Sequence, residues 1–173
     1  MRFSLCLALG LLAAASGCSS PSTPENQLLG NDFESLDGWG TESPSLTREK
    51  AHSGQYSIKI QKGIEYSLTY KNLLAKLSPE KITKIRVSGY VYITKPTDAK
   101  LAVQLMKTAA DGTEFNEGIS LGEAVKKVGE WTKVEKEFTL PADAAPSNQL
   151  RVYMWGAGND DTVYLDDLQV TKA

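Results

Sequence analysis

Residues 84–93 read KIRVSGYVYI, and the alternation along this stretch decides the fold class. One set of positions is apolar or small: Ile85, Val87, Gly89, Val91 and Ile93. The residues between them are polar or amphipathic. A period of two is that of a β-strand with one face in a core and the other toward solvent. The stretch therefore predicts a half-buried strand.

The same pattern recurs from residue 45 onward. Alternating or Val-, Ile-, Tyr- and Thr-rich runs, separated by Gly, Pro, Asn and Asp turns, cover residues 56–60, 64–70, 100–106, 131–140, 150–155 and 162–170. Short strands without an alternation of strands and helices predict an all-β domain, a two-sheet jelly-roll β-sandwich. Residues 72–82 predict a short helix ending near Pro79. Residues 122–128 are ambiguous, and an irregular segment or strand is favoured.

The first residues are typical of an export signal. Residues 1–17, MRFSLCLALGLLAAASG, place Arg2 before an apolar run that is too short to span a membrane. The end of this segment followed by Cys18 resembles a bacterial lipobox, which implies a diacylglycerol anchor on Cys18. A soluble signal with an unrelated cysteine is the alternative. Residues 18–27 are predicted to be the lipidated cysteine and a flexible tether, and residues 28–173 the folded domain.

The anchor predicts a location at the bacterial cell envelope. Ser19 follows Cys18 where an Asp is associated with inner-membrane retention in some bacteria. This favours the outer membrane or cell surface over the inner membrane. We expect a monomer.

Composition argues against several functions. The net charge of the chain is −2, and no basic cluster indicates a nucleic-acid partner. The mature chain would contain one cysteine, Cys18, so it could form no internal disulfide. His52 is the one histidine, which argues against zinc chemistry or a catalytic triad. A non-catalytic protein is therefore predicted.

Five motifs together resemble a known family. They are NDFE at 31–34, DGW at 37–39, HSGQYSIKI at 52–60, WTKVEKEFTLP at 131–141 and VYLDDLQV at 163–170. Their order and spacing resemble the galactose-binding-like jelly rolls of carbohydrate-binding module families four, nine and twenty-two, over residues 28–172. The resemblance implies a jelly roll that binds a carbohydrate. The resemblance implies that Trp131 lies in the core and that Trp39 packs near its edge, with sugar stacking as the alternative role of Trp39.

The resemblance also implies one structural calcium ion where the first and last strands meet. Its expected ligands are Asp32, Glu34, Ser53 and Asp166, completed by main-chain carbonyls near His52 and Asn31, because calcium takes six to eight oxygen ligands. Alternation should direct Phe33 into the core and turn Asp167 away from the ion. The alternative is that these acids are solvated turn residues.

The polar side of the strands is the predicted binding surface. If the aliphatic residues face the core, the remaining side chains share one outer face: Arg86, Tyr90, Tyr92, Gln104, Arg151, Tyr153 and Trp155. Sugar rings stack on Tyr and Trp, and their hydroxyls bind groups such as those of Arg and Gln. An ordinary exposed sheet with stabilising cross-strand pairs is the alternative.

Together these features predict a lipid-anchored, non-catalytic module that binds a polysaccharide or oligosaccharide. The alternative function is that of an adhesive or structural envelope lipoprotein, which would use the same jelly roll to bind a protein or a cell-wall partner.

Overall fold

The computed structural model describes residues 26–37, 39, 43–107, 113–158 and 160–173, without the side chains of residues 113 and 114. The signal segment, Cys18 and most of the tether lie outside the described residues. In chain order the elements are β1 Gln27–Asn31, β2 Leu46–Thr47, β3 Ser57–Ile60, β4 Tyr70–Leu73, α1 Leu74–Leu77, β5 Lys84–Ile93, β6 Lys100–Met106, β7 Thr113–Ser120, α2 Leu121–Ala124, β8 Trp131–Thr139, β9 Gln149–Trp155 and β10 Val163–Lys172. No helix in these ranges is long and apolar enough to cross a bilayer.

Two antiparallel sheets form a sandwich. One has six strands in the order β2-β3-β10-β5-β8, with β1 also paired to β10, and the other has four strands in the order β4-β9-β6-β7. Strands β3 and β1 pair with successive halves of β10, at residues 163–165 and 168–171. The predicted all-β, two-sheet jelly roll is confirmed.

The aliphatic residues of the two sheets face each other and form the core. On β5, alternation leaves Ile85, Val87, Val91 and Ile93 at most 2% exposed. The opposite sheet supplies Leu101, Val103, Leu105, Leu150, Val152 and Met154, all at 0%. Burying each such side chain contributes about 1.5–3 kcal/mol, and this buried area holds the two sheets together.

Phe33 and Trp39 close one end of this core. Their rings meet edge to face at 5.4 Å between centroids, and Trp39 also contacts Tyr70 at 5.3 Å. Both residues are buried, at 1% and 8% exposure. Their burial confirms the packing role predicted for them.

Several element predictions were wrong. Residues 64–70 form isolated bridges, one of them between Tyr66 and Trp155, and strand β4 begins only at Tyr70. The helix expected over 72–82 is a single turn at Leu74–Leu77, and a second turn, Leu121–Ala124, begins the segment read as irregular. Strands β1 and β7 were missed because their sequences are short or mostly polar, and their partners impose the strand conformation.

Candidate functional site

The predicted binding residues lie on two separate faces. Gln104 on β6 and Arg151, Tyr153 and Trp155 on β9 lie on the outer side of the four-stranded sheet. Arg86, Tyr90 and Tyr92 lie on the outer side of the six-stranded sheet, which contains β5. The prediction of one shared face was therefore wrong. Alternation determines which side of a strand faces out, and strand pairing determines which sheet the strand joins.

We call the outer side of the four-stranded sheet the four-strand face. Strand pairing arranges its side chains in rows that cross the strands. Arg151 lies opposite Gln104, Tyr153 opposite Ala102, and Trp155 opposite Lys100, and β7 continues these rows with Asn116, Gly118 and Ser120. Tyr66, 58% exposed, pairs with Trp155, and its ring lies 5.9 Å from that of Tyr153.

A depression of about 330 Å³ occupies this face. It is lined by Tyr66, Lys100, Ala102, Gln104, Asn116, Glu117, Gly118, Ser120, Tyr153 and Trp155. Its middle row carries the small residues Ala102 and Gly118. A Cβ atom at Gly118 would lie 2.7 Å from the carbonyl oxygen of Leu101, so glycine also lets β7 approach β6 closely. This low row of small side chains therefore lies between the row that contains Trp155 and the row that contains Gln104.

Hydrogen bonds fix the polar groups of the four-strand face. Gln104 Nε2 donates to Asn116 Oδ1 at 3.3 Å, and Arg151 Nε donates to Gln149 Oε1 at 2.7 Å. Burial raises the pKa of the Tyr153 hydroxyl further above neutral pH, and this hydroxyl can donate as well as accept a hydrogen bond. Rigid aromatic rings beside oriented amides are the combination that binds the C–H faces and hydroxyls of sugars.

The outer side of the six-stranded sheet, called the six-strand face, is arranged differently. His52 stacks on Tyr90 with 3.6 Å between ring centroids, and Lys50 Nζ lies 4.4 Å from the ring centre of Tyr92. Tyr92 also meets Trp131 and Tyr164 edge to face. Each tyrosine predicted to bind a ligand here thus already has a side chain of the protein against one ring face.

Two further residues of the six-strand face bear on the predictions. Arg86 is ion-paired with Glu137 at 3.4 Å and Glu135 at 3.7 Å. Trp131 is half-buried on this surface, opposite Tyr92, so the prediction that it lies in the core was wrong. Trp131 is the first residue of β8, and the register with β5 directs its side chain outward.

The acids predicted to bind calcium hold one turn from two sides. Glu34 Oε1 accepts hydrogen bonds from the backbone N–H groups of Gln55 and Tyr56 at 2.6 and 2.7 Å. Asp166 Oδ2 accepts from the N–H groups of His52 and Ser53 at 2.7 and 3.1 Å. We call this arrangement the carboxylate clasp. It joins the first and last parts of the domain through residues 52–56.

A β-bulge in β10 adds Asp167 to the clasp. The register with β5 shifts between Asp166 and Gln169, and Asp167 has a left-handed φ of 48°. Its carboxylate accepts from Ser53 Oγ at 2.6 Å and lies 2.5 Å from His52 Nδ1. The prediction that Asp167 points the opposite way from Asp166 was wrong, because the bulge breaks the alternation on which it depended.

Phe33 lies in the core as predicted, but its backbone is not that of a strand. Phe33 has φ 61° and belongs to a turn, in which its N–H donates to Asn31 Oδ1 at 2.6 Å. The turn, and not strand alternation, directs its ring into the core. Asp32 Oδ1 accepts the N–H of Glu34 at 3.2 Å, a local bond within that turn.

The clasp has some of the chemistry that calcium needs. In the described ranges, no group of three or more His, Cys, Asp or Glu side chains is placed to hold a metal ion. Both described hydrogen bonds of the Glu34 carboxylate fall on Oε1, and a carboxylate has about four acceptor positions, so Oε2 is free to bind a cation. Burial raises the pKa of Asp166 against the effect of its three amide donors.

Comparison with protein families assigns the chain. A family model described as a carbohydrate binding domain, for module families four and nine, matches residues 25–162. The chain belongs to this family, and the resemblance found in its motifs is confirmed. No curated protein sequence matches the chain.

Solved structures of carbohydrate-binding modules share the fold. The CBM22-1 xylan-binding domain of Xyn10C from Paenibacillus barcinonensis is 18% identical, with 84% of this chain and 94% of that chain covered and a TM-score of 0.55. The C-terminal family 22 module of Xyn10B from Clostridium thermocellum is 13% identical, with 87% and 96% covered and a TM-score of 0.56. The N-terminal CBM22-1–GH10 modules of Xyn10B, complexed with xylohexaose, are 16% identical, with 86% and 29% covered and a TM-score of 0.57.

Proposed function

We propose that this chain is a lipid-anchored, non-catalytic module that binds a polysaccharide on its four-strand face and holds it at the bacterial cell envelope. The observation that most directly supports this proposal is the depression on that face, in a chain of the carbohydrate-binding-domain family. Tyr66, Tyr153 and Trp155 supply surfaces for sugar rings. Gln104, Asn116 and Ser120 supply hydrogen-bonding groups for the hydroxyls.

The shape of the depression suits a chain more than a single sugar. The low row formed by Ala102 and Gly118 crosses the strands, with Tyr153 at one end. Side chains of the neighbouring rows stand on both sides of it. A linear polysaccharide would lie along this row, with one ring near the aromatic residues at the Tyr153 end and hydroxyls of the following sugars near Gln104 and Asn116. Xylan is a suitable first ligand for testing, since xylan and xylohexaose are named for the structures that share this fold.

The anchor is the second component of the proposal. The lipobox-like residues before Cys18 and the Ser-, Pro- and Thr-rich tether support attachment to a membrane, with Ser19 favouring the outer membrane or cell surface. A tether would hold the four-strand face away from the membrane plane. Globomycin inhibits the peptidase that releases lipoprotein signal segments, so accumulation of the uncleaved precursor would support this component. A Cys18→Ser variant, which has no thiol to accept the lipid, is the control, and its precursor should stay uncleaved with or without globomycin.

Calcium at the carboxylate clasp is the third component. The free oxygen of Glu34 and the position of Asp166 on the other side of the same turn support it. Its role would be structural, because the clasp lies at the junction of the first and last strands and not on the four-strand face.

The binding component is tested with a panel of soluble polysaccharides. Affinity electrophoresis and tryptophan fluorescence on the domain from residue 26, with xylan, β-glucan and mannan, should show retardation and a spectral shift with at least one polymer. Each polymer should be tested with and without calcium. No response across a broad panel, from a domain whose cooperative unfolding shows that it is folded, would overturn the proposal.

A further inference from the structure

The positively charged side chains of the two faces differ in whether they form ion pairs within the protein. On the six-strand face, Lys84 pairs with Glu137, Lys133 with Glu135 and Lys59 with Glu49, at 3.1, 3.5 and 2.6 Å. Arg86 is paired there as well. These four positive charges are therefore paired within the protein, whereas Lys50, whose Nζ lies over the ring of Tyr92, forms no ion pair among the described residues.

On the four-strand face, three positively charged side chains lack such an ion pair among the described residues. Lys71, Lys100 and Arg151 form no ion pair with any carboxylate among the residues that the structure describes. Lys71 lies directly opposite Arg151 on the neighbouring strand, so two unpaired positive charges are adjacent. Like charges in this position destabilise a sheet. An anionic ligand would remove that repulsion on binding.

These cations stand on both sides of the low row of the depression. Lys100 lines the depression in the row of Trp155, while Arg151 and Lys71 lie outside its lining, in the row of Gln104. The row of Tyr153 and Ala102 runs between them. Four residues along a strand separate the two charged rows, which is about 13 Å at the usual rise. A polymer lying on the low row would therefore have a cation within reach on either side.

Arg151 is oriented for a planar anion. Gln149 Oε1 accepts from its Nε, which fixes the guanidinium and leaves the two terminal nitrogens as donors. Paired terminal N–H groups match the two oxygens of a carboxylate. Glu117, the acid that lines the depression, is ion-paired with Lys136 at 3.3 Å, so it does not neutralise these cations.

From this arrangement we propose that the polysaccharide bound by the four-strand face is acidic, with carboxylate groups on its sugar units. The inference rests on the proposed function of that face and adds the chemical class of the ligand. The aromatic residues would contact the sugar rings, and Lys71, Lys100 and Arg151 would bind the carboxylates. The chain as a whole has a net charge of −2, so this local excess of positive charge is not a consequence of composition.

The test uses one polymer in two forms. A glucuronic-acid-bearing xylan is compared with the same preparation after its carboxyl groups have been reduced to alcohols, so that backbone and length are matched. We expect the acidic form to bind about tenfold more tightly at low ionic strength, with the ratio falling as salt screens the charges. A ratio near one would overturn the inference and leave the proposed function standing. Binding of neither form, in a panel without any other response, would overturn the proposed function itself.

Substitutions test which residues cause the preference for the acidic polymer. Arg151→Gln and Lys100→Gln should each bring the ratio of the two affinities closer to one, and the double variant should abolish the preference. Lys133→Gln removes one positive charge from the six-strand face and should leave the ratio unchanged. A preference that persists in the double variant would overturn the assignment to this face. Equal binding of polyuridylate would show charge attraction without sugar recognition and would also contradict the inference.

Discussion

Glu34 and Asp166 hold the same turn from opposite ends of the domain. Glu34 accepts N–H groups from its C-terminal part, and Asp166 accepts N–H groups from its N-terminal part. A carboxylate that accepts backbone N–H groups forms charge-assisted bonds, which are stronger than neutral ones. The clasp therefore connects the segment after β1, the turn before β3 and the bulge of β10.

The two carboxylates should contribute unequally to stability. Asp166 is 0% exposed and accepts three backbone N–H groups, whereas Glu34 is exposed and accepts two. We expect Asp166→Ala to lower the free energy of unfolding by about 3 kcal/mol and Glu34→Ala by about 1 kcal/mol. Glu34→Gln, which keeps an oxygen acceptor, should lose less than Glu34→Ala. Urea unfolding of the three variants measures these differences, and an equal loss for both alanine variants would contradict this account of the clasp.

Calcium, if it binds at the clasp, should raise the thermal midpoint of the wild-type domain. Binding to the folded state alone stabilises it by mass action, by about 2.7 kcal/mol at a hundredfold excess over the dissociation constant. Differential scanning calorimetry with EDTA and with added calcium measures the shift. Glu34→Ala should remove the shift, and magnesium serves as the control cation. An identical midpoint in EDTA and in calcium would sink the calcium proposal while leaving the hydrogen-bonded clasp intact.

Trp155 should be the main aromatic contact for the glycan. It lines the depression between Tyr66 and Lys100, so its removal takes away stacking area. We expect Trp155→Ala to weaken binding by about 30-fold, the equivalent of about 2 kcal/mol. Isothermal titration calorimetry measures the change. Trp131→Ala, on the six-strand face, is the matched control and should leave the affinity unchanged. The opposite pattern would place the binding surface on the six-strand face.

Gly118 should be required for the shape of the depression. An added Cβ would meet the carbonyl oxygen of Leu101 at 2.7 Å, and because that atom is backbone, β7 must shift away from β6. Gly118→Ala should lower both the thermal midpoint and the affinity for the polymer. Gly63→Ala is a useful control. Gly63 has φ 80°, so the alanine is strained, but no atom lies within 4 Å of the added Cβ and no strand has to move. This control should cost stability without weakening binding.

The raised pKa of Tyr164 predicts how the free energy of unfolding changes at alkaline pH. Burial, with the neighbouring Glu49 carboxylate, raises its pKa from 10.0 to about 12. Between these values the unfolded chain releases the phenolic proton and the folded protein retains it. The free energy of unfolding should therefore fall as pH rises through this window. Tyr164→Phe should show a shallower fall, measured as unfolding free energy against pH, and parallel curves for the two proteins would refute the assignment.

Much of the fold was predictable from local pattern. In KIRVSGYVYI each inward position is aliphatic or glycine, and the structure buries Ile85, Val87, Val91 and Ile93 as expected. The motifs around Glu34, His52 and Asp166 also indicated correctly that distant segments meet. The polar strand β7 gave no such signal, since its residues become a strand through pairing with β6.

The candidate site was only partly predictable for a related reason. Tyr92 and Tyr153 have equivalent patterns in their strands, yet they lie on opposite sides of the molecule. Lys71 and Lys100 resemble any other surface lysines in sequence. Their significance follows from the absence of a carboxylate partner among the described residues, together with their positions beside Arg151 and Trp155.

The sequence by itself determined the strand periodicity, the aliphatic core and the family, because these depend on which residues alternate and in what order their motifs occur. The tertiary structure decided which residues share a face, where Asp167 and Trp131 point, and which cations have no ion pair among the described residues. Those properties depend on strand order, on register and on one bulge. They arise from hydrogen bonds between segments that are far apart in the chain, and no local pattern encodes them.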